Sequence, residues 1–194
     1  MRTVDASIDP FTRALARVRD IQVRPEFVLE EGPAPQRLAP HALAITAELS
    51  DLDDDRASGR FVLLHDPDGV DEWDGNFRTV VFIRAELESD LAEDPMLQAV
   101  AWTWLTDALT DVPVTHLGGT VTVTSGQSFG TMSDRPAAST VEIRASWTPL
   151  GDDQDAAQSM DQHLQVWLDV LAHAAGMQPL PSDVATLPSR RSRS

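Results

Sequence analysis

Gly126-Gln127-Ser128-Phe129-Gly130 has the G-x-S-x-G spacing of a nucleophile elbow. In that motif a serine is held out on a sharp strand-to-helix turn. A strand pattern precedes the motif here, but Thr131 to Ser139 reads as a loop feeding another strand, not as a helix. Without the helix the spacing reads as a flexible Gly-Ser loop. His65 beside Asp66, at a strand end, is the position best suited to a general base. A small hydrolase or transferase using His65 with Asp66, joined by Ser128, is therefore an alternative reading. It requires these side chains to converge in one pocket.

Metal chemistry finds no pattern. His41, His65, His116, His163 and His173 form no H-x-H or H-E-x-x-H pair. The loop from Asp66 to Gly75 is rich in carboxylates, but its spacing is not that of a calcium-binding EF-hand loop, and it reads as a solvated turn. No metal, cofactor or catalytic residue is assigned.

Recognition is the better use of these residues. On the second helix Trp104 belongs to the buried stripe, whereas Trp102 lies about 200° around the axis. Tryptophan away from an apolar stripe is either an interface hot spot or is covered from within. Arg24, Arg60, Arg78, Arg84 and Arg144 lie in or beside strands that also carry Glu26, Glu86 and Glu142. Cross-strand Arg–Glu pairs on a solvated face account for such a pattern. A docking face for carboxylate or phosphate is the functional reading, because guanidinium binds both through two parallel bonds. Trp102, Arg84 and Arg144 are the candidate contact residues.

Composition narrows the classes. The chain has 31 acidic and 15 basic residues, a net charge of −16, no cysteine and no lysine, so every basic residue is arginine. Disulfides, thiol nucleophiles and cysteine-bearing zinc sites are excluded. An acidic body repels phosphate backbones, which argues against nucleic acid as a partner. A nucleic-acid accessory role through Arg190, Arg191 and Arg193 would have to overcome that charge. Residues 1–10 lack the basic and apolar regions of a signal peptide, and no apolar run is long enough to span a bilayer. A cytoplasmic location is expected.

The elements that must position these residues follow from periodicity. Asp9-Pro10 opens a helix whose stripe is Phe11, Ala14, Leu15 and Val18. Strands are expected over 23–30, 41–49, 60–65 and 77–87, with 66–76 as a loop. A second helix over 95–110 buries Leu97, Val100, Ala101, Trp104, Leu105 and Ala108. Two more strands follow, around Val121–Val123 and Val141–Trp147. Ser159 with Gln162 reads as a capping box opening a third helix, which Gly176 stops. The order α-ββββ-α-ββ-α implies an α+β fold: a mainly antiparallel sheet of about six strands with three helices on one face. Residues 1–176 form a single domain in this reading, and 177–194 a mobile Pro-rich tail ending in arginine.

Taken together, several segments resemble an actinobacterial family called domain of unknown function 3000. They are Arg24-Pro25-Glu26, Arg37-Leu38-Ala39-Pro40, Gly59 to Pro67, Arg84 to Glu88, Trp102-Thr103-Trp104-Leu105, Ser128-Phe129-Gly130 and Glu142 to Trp147. The likeness runs over about residues 10–188 and implies no activity, cofactor or site residue. The element order also looks like that of the small acidic chaperones of type III secretion, with one strand too many. The expected function is a non-catalytic binding or regulatory protein of chaperone-like architecture, with an unidentified protein partner or a second copy of itself.

Overall fold

A computed structural model describes residues 8–49, 56–135 and 137–178. Six strands form one antiparallel sheet: β1 (Phe27–Gly32), β2 (His41–Leu49), β3 (Ala57–Val70), β4 (Gly75–Leu87), β5 (Val114–Gly126) and β6 (Ala138–Pro149). Their order across the sheet is β1-β2-β3-β4-β6-β5. The helices are α1 (Pro10–Arg19), α2 (Ser89–Ala92), α3 (Leu97–Ala108), α4 (Asp153–Gln158) and α5 (Met160–Ala174). The α+β class and the antiparallel sheet agree with the sequence. The helix count does not: the described residues form five helices instead of three.

Strand alternation decides which face is covered. Leu43, Ile45 and Ala47 of β2, Phe61 and Leu63 of β3, Val81 and Ile83 of β4, and Val141, Ile143 and Ala145 of β6 are buried in one cluster. Trp167 of α5 closes over this face, and its indole N–H donates to the Phe82 carbonyl at 3.3 Å. Gly59 is where that indole crosses the sheet. A Cβ there would stand 3.0 Å from Trp167 Cζ2 and from the Phe82 carbonyl oxygen. Helix α5 packs on β3 and β4, α3 packs on β5, and α1 packs on α4 and α5. Among the described residues no helix lies over the residues of opposite parity: Arg60, Val62, Val80, Phe82, Arg84 and Arg144.

Local chemistry sets the ends. Asp9 caps α1 by accepting from the Thr12 amide at 2.9 Å. Asp152 caps α4 through the amides of Gln154 and Asp155. The expected capping box at Ser159 is replaced by a break between α4 and α5, where the Ser159 hydroxyl donates back to the Ala156 carbonyl. Gly176 ends α5 as expected. Its φ of +73° lets its amide reach the His173 carbonyl and the Met177 amide reach Ala172, which is the Schellman arrangement. Beyond 178 the expected tail lies outside the described residues.

Two expectations are corrected. Residues 66–76 are not a loop: β3 and β4 run on as a two-stranded ribbon to a turn at Val70–Gly75. Val100 does not face the core and is 43 % exposed.

Candidate functional site

His65 and Ser128 are at opposite ends of the sheet. His65 pairs with Phe77, two residues from the Thr79–Trp147 pair, whereas Gly126 pairs with Ala138 beyond the Leu87–Ser139 pair. The eight residue steps from Thr79 to Leu87 span roughly 27 Å of strand. The helix required after Ser128 is only a 3-10 turn at Gly130–Met132. Asp66 turns away from His65, and its Oδ1 accepts from the Asp68 amide at 3.0 Å. The convergence required of a His65–Asp66–Ser128 site is absent.

His65 instead sits inside the fold. Its ring stacks on Phe77 with centroids 4.2 Å apart, and on His41 at 5.6 Å and Phe11 at 5.9 Å. It is fully buried, and neither ring nitrogen has a hydrogen-bond partner. The nearest carboxylate, Asp153 Oδ2, is 3.8 Å away and also accepts from Asn76 at 3.0 Å. Burial lowers the His65 pKa against the pull of Asp153 and Asp9. His65 is thus a neutral ring in an aromatic stack. Among the described residues no group of three side chains could hold a metal ion.

Trp102 is half-buried. Its ring lies over Gly119 of β5, where a Cβ would come within 2.9 Å of Trp102 Cζ3. Trp104, on the other flank of α3, stacks on His173 of α5 with centroids 4.8 Å apart. The cover over Trp102 comes from the sheet edge itself. A cleft of about 530 Å³ opens beside Trp104, lined also by Arg24, Asp107, Asp169 and Met177. Burial raises the Asp169 carboxyl pKa, opposed by the hydrogen bond from Gln165 and by Arg24.

The arginines gather on the helix-free face. Register places Arg60 of β3, Phe82 of β4 and Arg144 of β6 side by side in one row. The Arg144 guanidinium stands over the Phe82 ring, 5.3 Å from its centroid. In the next row Arg84 faces Glu142, and this one carboxylate is shared: 3.3 Å to Arg84 and 3.0 Å to Arg144. Among the described residues Arg60 donates to the Pro33 carbonyl, at 2.7 Å. Arg78 donates to the hydroxyls of Ser146 and Thr148, at 2.7 and 3.0 Å, and burial lowers its pKa. Arg144 thus covers Phe82, Arg60 and Arg84 stand in its own and the next row, and Glu142 is the carboxylate engaged among them. Glu30, Glu48 and Glu86 stand at the margins of the face.

Beside Phe82 is a shallow depression of about 470 Å³. Its floor is Val80, Phe82 and Gly118, and its rim is Arg144, Ser146 and Thr120. The cross-strand explanation accounts for Arg84 with Glu142, whereas the bonds of Arg60 and Arg78 go to a carbonyl and to hydroxyls. Alternation along 77–87 sets Phe82 between Arg78 and Arg84 on the polar parity, but nothing in that pattern marks it as a contact residue.

A family model described as "Protein of unknown function (DUF3000)" matches residues 8–185. No curated protein and no solved structure matches the chain.

Proposed function

The chain belongs to the DUF3000 family, and from that premise we propose that it is a non-catalytic, cytosolic binding or regulatory protein. Its open sheet face takes an acidic protein segment, with an apolar side chain seated beside Phe82. The observation that carries this reading is the Arg60–Phe82–Arg144 row, cationic on a body of net charge −16. Arg60, bonded to a carbonyl, and Arg144, which shares Glu142 with Arg84, keep N–H groups that can make charge-assisted bonds to a partner's carboxylate. Phe82 and Val80 offer an apolar floor that adds affinity when water is excluded. A protein segment fits better than a nucleic acid, because the surrounding acidic body opposes a long run of phosphates. Among the described residues no helix is long and apolar enough to cross a membrane.

The test is quantitative capture from the native host, comparing wild type with an Arg60→Glu/Arg144→Glu double variant. Partners held by the face should be rich in Asp and Glu. Their recovery should fall by roughly tenfold or more, as expected for loss of arginine hot spots. Equal recovery on both baits, at equal melting temperature, sinks the reading.

A further inference from the structure

The two edges of the sheet are built differently. The β1 edge is six residues long, carries Glu30 and Glu31, and runs into Pro33. Glu31 is tied down by Arg19 at 2.7 Å. Short length, charge and proline are what keep a free edge from pairing with another chain.

The β5 edge is neither short nor charged, and its flanking proline, Pro113, stands before the start of the strand. It is thirteen residues long and contains no Asp, Glu, Arg or Pro. One blunting device is present: a bulge between Thr115 and Gly118, where His116 takes a φ of +50°. It spoils only the start of the strand. From Gly118 to Gly126 pairing with β6 is unbroken, leaving about 30 Å of regular outer edge. The one side-chain hydrogen bond to this backbone among the described residues comes from Gln98 to the Val121 carbonyl and is long, at 3.5 Å.

This stretch reads Gly118-Gly119-Thr120-Val121-Thr122-Val123-Thr124-Ser125-Gly126. Its centre is a palindrome about Thr122. Laid antiparallel on itself, it sets Thr120 against Thr124, Val121 against Val123, and Gly118 against Gly126. Every cross-strand pair then matches small with small, hydroxyl with hydroxyl and valine with valine. Val121 and Val123 point to the helix side yet are only partly buried, since β5 is the last strand of the sheet and α2 and α3 cover it only in part. A second β5 would cover them. The lack of charge also counts, since two bodies of net charge −16 approach best along an uncharged line.

We infer that β5 is a self-pairing edge: two copies of this chain join antiparallel through Gly118–Gly126 about a two-fold axis at Thr122. The inference rests on backbone and register and is independent of the arginine face. An edge-to-edge contact is small, so the dimer should depend on concentration.

Sedimentation velocity over micromolar to millimolar concentrations tests it, on wild type and Thr122→Lys. Thr122 faces Glu142 in its own sheet, so the new ammonium gains an intramolecular partner and the fold is kept. On the two-fold axis it meets its own copy. Wild type should dimerise as concentration rises, and the variant should stay monomeric at an unchanged melting temperature. Amide exchange in wild type gives a second readout, with β5 protection rising with concentration. This holds even if the variant folds poorly. A wild type that is monomeric throughout overturns the inference. So does a dimer that survives the substitution, or β5 amides protected only when a foreign peptide is added.

Discussion

An indole N–H can only donate, and that fixes the state of one histidine. Trp147 Nε1 lies 3.1 Å from His163 Nδ1 with both side chains buried. Nδ1 must therefore be the unprotonated acceptor, and the ring proton sits on Nε2. Adding a proton to Nδ1 removes the bond and charges a dry site. Burial accordingly lowers the His163 pKa from 6.5 to about 4, with Asp161 pulling weakly the other way. In the unfolded chain the ring titrates at its ordinary value, so between these limits the unfolded state binds the extra proton. Stability is complete above pH 6.5 and is lost as pH falls toward 4, a loss of roughly 3 kcal/mol. His65 acts in the same direction. Denaturant unfolding at a series of pH values should show this slope, and His163→Gln should remove a large part of it. A slope unchanged in that variant would assign acid sensitivity elsewhere.

Elements were legible where pattern and environment agree. Strand 41–49 is legible to its ends, because Leu43, Ile45, Ala47 and Leu49 alternate without a break and all face the core. The β3–β4 ribbon is not, because Asp66-Pro67-Asp68-Gly69 carries every local signal of a turn. Beyond the body of the sheet a proline breaks no inner ladder, and the Pro67 carbonyl instead accepts from Asn76 at 3.1 Å. Helix α4 is missed, since the third helix is expected to open only at Ser159 and six residues are too few to show a period. The arginine face was half visible, since alternation marks parity but cannot say which strands are neighbours. The meeting of His65 with Asp153, or of Arg24 with Trp104, leaves no local trace at all. Helix α1 shows how a local signal carries weight at this scale. It is ten residues long, too short to be stable alone, and is held by the Asp9 cap and by Arg17 to Asp161 on α5 at 2.6 Å. Asp9→Ala should cost about 1 kcal/mol, read as a lower melting temperature with no change in the strand signal by circular dichroism. A neutral result would show that tertiary contacts alone hold α1.

At the scale of the molecule, charge acts on folding and on binding with opposite signs. Acidic residues outnumber basic ones by 31 to 15, so the compact state carries self-repulsion that salt relieves. The ion pairs that salt would weaken, such as Arg19–Glu31, are largely exposed and contribute little. Moving from low salt to about 0.1 M, where screening acts within about 10 Å, should raise the melting temperature by roughly 2–4 °C for ~1 kcal/mol. An acidic partner on the Arg60–Phe82–Arg144 row should bind more weakly over the same range. If β5 pairs about its two-fold axis, the two open faces lie on the same side of one continuous sheet, and a partner long enough to span both would lose affinity more steeply still. Measuring unfolding and binding in the same salt series separates the two effects. Melting temperature and affinity that fall together would show that salt acts on the fold, and the opposed slopes expected of an arginine docking face would be missing.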